Sequence, residues 1–94
     1  MAKLFPVELV SVEAKVWEGE AEMLVARTTE GELGVLAGHA PLLGQLAEEG
    51  QVRIKRPDQE ELVYDVSGGF LSITEAGVTV LAEACVPGTR STAH

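Results

Sequence analysis

The hydrophobic and polar positions of this chain alternate over short stretches, a pattern that predicts β-strands. From Gln51 to Arg56, apolar and polar residues alternate with period two, which is typical of a strand with one face in water. Leu62, Tyr64 and Val66 share one face of a second strand. The pattern also predicts strands at 21–28, 69–74 and 78–81, a hairpin turn at 75–77, and a strand buried on both faces at 7–12.

Ten glycines divide the chain into pieces that are mostly too short for a stable helix. Short strands separated by turn residues at this spacing are typical of a β-sandwich or barrel. We therefore expect an all-β fold of about ten short strands. The exception is 42–47, where four apolar residues have helical spacing and a short helix is an alternative.

Length and charge narrow the classes of function. The 94 residues suit one domain, and 7 basic against 15 acidic residues give a net charge of -8. This balance argues against nucleic acid and anionic lipid as partners and favours proteins with basic surfaces. A single cysteine, Cys85, fits a reducing compartment. No apolar run approaches the ~20 residues of a membrane-spanning helix, so no direct membrane insertion is expected.

Catalytic and cofactor chemistry is sparse in the sequence. One internal histidine, His39, does not make a metal site, and neither a nucleophile elbow nor a phosphate-binding loop is present. The paired carboxylates at 48–49 and 60–61 occur in predicted turns, where solvation explains them. Cys85 is interpreted as a small residue of the core or its margin. We therefore expect no catalytic, cofactor-binding or metal-binding residues.

Three segments stand out from the strand pattern. The first, 30–43, contains three closely spaced glycines, of which Gly31 predicts a tight hairpin and Gly38 a second bend. It holds His39 on a turn, which suits either two ordinary loops or a rigid docking loop. The second, Ser67–Leu71, contains adjacent glycines that predict a bulge or a close backbone approach. The third contains Trp17, the only tryptophan, just before a predicted turn at Gly19 and suited to a core or an interface position.

The sequence GELGVLAGHAPLL, from Gly31 to Leu43, resembles the signature of the F-type ATP synthase epsilon subunit. Four other segments occur in the order and spacing of that family, and the resemblance extends from about Val7 to Ala84. It implies a flattened sandwich of two antiparallel sheets. The four supporting segments are Val16–Gly19, Ala26–Glu30, Ser67–Leu71 and Val78–Glu83.

The resemblance also implies a function and two partner surfaces. The family member is a non-catalytic rotor subunit, which links the gamma subunit to the membrane c-ring and couples proton flow to ATP synthesis. It is peripheral, at the cytoplasmic face of the bacterial plasma membrane. The residues that would face the polar loops of the c-ring are Glu30, Gly31, Glu32, Leu33 and Gly34. Those that would face gamma are His39, Ala40, Leu42, Trp17, Val78 and Val80.

The chain departs from the family pattern in two respects. Ala37 stands where many members carry proline, which loosens the turn. The sandwich domain is expected at 1–86 with a flexible tail at 87–94, in a short form that lacks the family's helical hairpin. The alternative function is a small β-sandwich carrier or protein-binding module. A carrier would need a modifiable lysine on a hairpin, and Lys3, Lys15 and Lys55 are not in such turns.

Overall fold

The computed structural model describes residues 3–57 and 59–88, and strands make up most of this part of the chain. Of the tail predicted at 87–94, residues 89–94 are outside the described residues, whereas Pro87 ends the last strand and the Gly88 N–H donates to the Val63 carbonyl at 2.8 Å. Eight strands were found: β1 Phe5–Ser11, β2 Lys15–Ala21, β3 Met23–Thr28, β4 Gly31–Val35, β5 Leu42–Gln45, β6 Gly50–Lys55, β7 Leu62–Thr74 and β8 Gly77–Pro87. The all-β class is confirmed.

The strands form two layers that share β7 and β8. The hydrogen-bonded order is β2-β1-β8-β7-β6-β3-β4, and β5 pairs with β7 outside this path. The first half of β7 pairs with β6, and its second half pairs with β5. The β3 layer is defined as β4, β3 and β6 with the first half of β7 and the second half of β8. The β1 layer is defined as β2, β1 and β5 with the second half of β7 and the first half of β8. Pairing is antiparallel except between β1 and β8, which run parallel.

The bend of β7 occurs at the two glycines that the sequence singled out. Gly68 and Gly69 have φ values of 64° and 108°, in the region that side chains disfavour. A Cβ at Gly69 would collide with the Leu81 carbonyl oxygen and the Ala82 Cα atom. The register with β8 is the same before and after the bend, so the glycines permit a close backbone approach rather than an extra residue. The strands expected separately at 61–66 and 69–74 are therefore one strand.

Two hairpins use the same turn. In the β3–β4 turn, the Thr28 hydroxyl oxygen accepts from the Glu30 N–H (3.1 Å) and donates to the Gly31 carbonyl (2.7 Å). In the β7–β8 turn, the Thr74 hydroxyl oxygen accepts from the Ala76 N–H at 3.1 Å. The glycine that ends each turn has a positive φ, as the tight hairpins predicted from the sequence require.

The core contains side chains from both layers. Leu9, Leu24, Ile54 and Leu71 are fully buried, and a single hydrophobic cluster joins them. No polar or charged residue of the described part is buried. The core therefore has no internal polar network.

Of the two alternatives open at 42–47, the structure shows a strand, since Leu42 and Gly44 of β5 pair with Ile73 and Leu71 on β7. Two local predictions were wrong. The strand at 7–12 is not buried on both faces, since only its alternate residues enter the core. The predicted turn at Gly19 is part of β2.

Candidate partner-binding surfaces

The tip of the β3–β4 hairpin presents the acidic residues predicted to face the c-ring. Glu30, Gly31, Glu32 and Gly34 are exposed, whereas Leu33 is half-buried and packs against the core. Leu33 pairs with buried Ala26 on the inner face of β3, so its side chain supports the hairpin.

Residues 45–47 hold the β3–β4 hairpin in place through backbone hydrogen bonds. The carboxylates at 48–49, interpreted from the sequence as solvated turn residues, follow this segment directly in the chain. The Thr29 N–H donates to the Gln45 carbonyl (2.9 Å), and the Ala47 N–H donates to the Arg27 carbonyl (3.0 Å). Leu46, between these two bonds, is buried, and its N–H donates to the Gly69 carbonyl at 2.9 Å. The segment after β5 thus ties the hairpin to the bend of β7.

Residues 36–41 form the loop that crosses from β4 in the β3 layer to β5 in the β1 layer. The His39 N–H donates to the Leu36 carbonyl (3.1 Å), and Gly38 has a φ of 84°. A positive φ at the third position of a hydrogen-bonded turn is what a type II turn requires. The His39 Nδ1 atom donates to the Ala40 carbonyl at 2.8 Å. The bend predicted at Gly38 is confirmed, and the ring of His39 is fixed by its own loop.

Two residues predicted for the gamma side are in the core. The side chains of Val78 and Val80 are 4% and 0% exposed, because alternate residues of β8 point between the layers. They are corrected to core residues. Trp17 is half-buried on β2, where its indole ring covers Gly19 so closely that a Cβ there would be 2.7 Å from the ring. Ala40 and Leu42 are exposed.

The outer face of the β1 layer carries apolar residues that the sequence analysis missed. Leu43, Phe70 and Leu81 are 70%, 51% and 44% exposed. Phe70 is directly opposite Leu81, which is directly opposite half-buried Val10 on β1. Leu43 is on the same face, because it is opposite Ser72, which is two residues from Phe70 along β7. We call Leu43, Phe70, Leu81 and Val10 the apolar row. In the sequence, the row is visible only as apolar residues at strand positions where alternation predicts a side chain facing water. Phe70, next to buried Leu71, is an example.

The outer face of the β3 layer is different in character. It forms an open groove of about 720 Å³ whose lining includes Arg27 and Arg53 together with four carboxylates. The Gln51 Nε2 atom donates to one of these carboxylates, Asp65, at 3.0 Å. The mixture of charges does not select an anionic or a cationic ligand.

Two ionisable groups have shifted pKa values. Hydrogen bonds from Lys15 to Glu8 and Glu18, with N–O distances of 2.8 and 3.0 Å, raise the pKa of the Lys15 ammonium group. Partial burial, and secondarily the charge of Asp65, raises the pKa of the Cys85 thiol. A raised pKa keeps this thiol protonated, which is the opposite of what a nucleophile needs.

The described residues contain no group of three or more His, Cys, Asp or Glu side chains that could hold a metal ion. They also contain no helix long and apolar enough to cross a membrane. What remains on the surface is one acidic hairpin, one rigid loop and one apolar row, which are features suited to protein contacts.

Comparison with known families decides the classification. Residues 4–88 match the family model described as the ATP synthase, Delta/Epsilon chain, beta-sandwich domain. The chain belongs to this family. The resemblance found in the sequence is therefore confirmed, and the match covers every strand, including the hairpin, the loop and the apolar row.

Relatives of this delta/epsilon family member include bacterial ATP synthase epsilon chains. The chain is 56% identical over 77 residues to the ATP synthase epsilon chain of Rhodococcus jostii (strain RHA1), which covers 82% of this chain and 63% of the relative. It is equally identical over 77 residues to the ATP synthase epsilon chain of Frankia casuarinae, covering 89% of that relative. The chain thus spans less than two thirds of the Rhodococcus protein and most of the Frankia protein.

Solved structures give the same fold. A chain in the cryo-EM structure of the Euglena gracilis mitochondrial ATP synthase, OSCP/F1/c-ring in rotational state 1, superposes with a TM-score of 0.81 at 28% identity, over 88% of this chain and 52% of that chain. A chain of the Tetrahymena thermophila mitochondrial ATP synthase central stalk/c-ring structure superposes with a TM-score of 0.71 at 12% identity, over 92% of this chain and 68% of that one, which supports the fold alone.

Proposed function

We propose that this chain is a non-catalytic rotor subunit of a proton-translocating F-type ATP synthase, linking the gamma subunit to the c-ring and coupling proton flow to ATP synthesis. The observation that carries the proposal is the family match over residues 4–88, together with 56% identity to bacterial ATP synthase epsilon chains. The subunit works at the cytoplasmic face of the bacterial plasma membrane, held there by its partners.

The gamma side of the proposal centres on the apolar row and its neighbours. An exposed apolar face costs solubility unless a partner covers it, so it marks an interaction site. The row is formed by four strands of one layer, β5, β7, β8 and β1, and the His39 loop leads into β5 next to its Leu43 end. Leu42, which is 40% exposed and opposite Ile73, remains a candidate at the start of β5. Phe70 on β7 and Leu81 on β8 replace the buried valines Val78 and Val80 as proposed gamma contacts. Trp17 remains a candidate at the edge of the layer.

The c-ring side of the proposal centres on Glu30, Gly31, Glu32 and Gly34. Exposed carboxylates at a hairpin tip attract basic polar loops and favour association at low salt. The hairpin is at the other end of β4 from the His39 loop, a separation of roughly 13 Å for a strand of this length. The two proposed surfaces are therefore at opposite ends of β4.

The test is isothermal titration of the purified gamma subunit from the same organism with the chain and two variants. Phe70→Ser should weaken binding at least tenfold, because it removes the centre of the apolar row. Val86→Ser is the matched control: Val86 is a similarly exposed strand residue (56%), but it belongs to the outer face of the β3 layer. Absence of gamma binding by the folded wild-type chain would refute the proposed function.

A further inference from the structure

A cavity of about 480 Å³ opens at the end of the sandwich that carries the His39 loop. We call it the loop pocket. Three elements surround it: the loop 36–41, the start of β1, and the β7–β8 turn. Its lining includes Leu4, Leu36, Pro41, Ile73, Val78 and Glu75.

The walls of the loop pocket are mainly apolar and largely fixed, with His39 and Thr74 as further polar lining residues besides Glu75. Ile73 and Val78 belong to the core, and Pro41 and the hydrogen-bonded turn at His39 limit the movement of the loop. Leu4 and Leu36 are exposed. Fixed apolar walls of this volume suit a long side chain with an aliphatic stem.

One carboxylate completes the lining. Glu75 is an exposed residue of the β7–β8 turn, and no lysine, arginine or histidine of the described residues forms an ion pair with it. An uncharged occupant would cover this carboxylate without pairing it, at a cost in desolvation. A cationic occupant would pair it, because the charged head reaches the turn while the stem lies against the apolar walls.

We propose that the loop pocket receives a single arginine or lysine side chain of a partner protein, with its head at Glu75 and its stem against the apolar walls. The proposal rests on the proposed function, since gamma is the partner. It assigns a specificity role to Glu75, which the comparison with the family did not indicate.

The test is titration of the gamma subunit with four forms of the chain at two salt concentrations. Glu75→Gln should weaken binding about tenfold at low salt and reduce the salt dependence of the affinity, because one ion pair is lost. Ala40→Trp should also weaken binding by placing an indole ring at the pocket, since Ala40 is an exposed lining residue. Glu13→Gln is the matched control, because Glu13 is an exposed carboxylate in the β1–β2 turn and does not line the pocket.

The outcomes separate the two proposals. Equal midpoints of urea unfolding for all four forms would show that the folds are intact. If gamma binds the wild-type chain and binds Glu75→Gln and Ala40→Trp equally well, the loop-pocket proposal is wrong and the rotor function stands. If Ala40→Trp weakens binding but Glu75→Gln does not, the occupant is apolar and the proposal of a cationic side chain is wrong. If the folded wild-type chain does not bind gamma, both proposals fail.

Discussion

At Gly69 the backbones of β7 and β8 leave no room for a side chain. An added Cβ would meet the Leu81 carbonyl oxygen and the Ala82 Cα atom, both of which are backbone atoms that cannot rotate away. Gly31 has a similar positive φ of 121° but has nothing within 4 Å of the added atom. Alanine substitutions at Gly31 and Gly69 therefore separate two losses of stability, one from backbone strain alone and one from strain together with a steric collision.

We expect Gly69→Ala to lower the free energy of unfolding by more than about 3 kcal/mol, since strain and overpacking add. Gly31→Ala should lower it by only about 1–2 kcal/mol, from strain alone. Urea unfolding followed by the fluorescence of Trp17 measures both values. Equal losses for the two variants would mean that β7 and β8 can separate at the bend.

The Cys85 thiol should react slowly with iodoacetamide at pH 8 in the folded chain and much faster after unfolding in urea. Burial and the Asp65 charge raise its pKa, so little thiolate is present. Because the folded state holds this proton more tightly than the unfolded state, the stability that it contributes is present below the unfolded pKa, about 8.5, and is lost as pH rises through the folded pKa. Asp65→Asn should accelerate the folded-state reaction. A rate already equal to that of the unfolded chain would contradict the assigned burial.

At the scale of elements, the loop 36–41 is ordered by a type II turn with Ala37 at its second position. Proline is favoured at that position because its fixed φ matches the turn. Within residues 3–57 and 59–88, the Ala37 N–H donates no backbone hydrogen bond, so a proline would remove none there. We expect Ala37→Pro to raise the free energy of unfolding by about 0.4–1 kcal/mol.

The control for this prediction is Ala37→Gly, which should lower stability because it increases the freedom of the unfolded chain. The same urea experiment measures both variants. A destabilising Ala37→Pro would show that the turn is not of type II. A more rigid loop should leave the walls of the loop pocket unchanged.

The sequence predicted the strands well where alternation was clear, as at 51–56, and both tight hairpins where a glycine ended the turn. It predicted the continuity of β7 poorly, because adjacent glycines at 68–69 indicate a break unless the partner strand is known. It could not assign Val78 and Val80 to the core rather than the surface, because the buried parity of a strand depends on which face the other layer covers. For the same reason the apolar row was missed. The cavity at the His39 loop depends on three segments distant in the chain, which no local pattern connects.

At the scale of the whole molecule, the first strand lies inside the sheet rather than at its edge. β1 pairs with β2 on one side and with β8 on the other, and it contributes Phe5, Val7 and Leu9 to the core. A variant lacking residues 1–11 would expose two rows of unpaired backbone groups and lose these three side chains. We expect it to show no cooperative urea transition. A variant beginning at Leu4 retains β1 and should unfold cooperatively, and a cooperative transition in the shorter variant would show that β2 can replace β1.

Because β7 and β8 run through both layers, the sandwich cannot fail by sliding one sheet over the other. A twisting load applied between the acidic hairpin and the apolar row is carried by the β7–β8 ladder, which keeps the same register on both sides of the bend and is interrupted only at Gly68. Hydrogen bonds loaded along the strands yield together, whereas bonds opened from one end yield in succession. The domain is therefore expected to be mechanically stiff against torque and weak against peeling of the edge strand β4, a directional resistance that would suit the proposed rotor role.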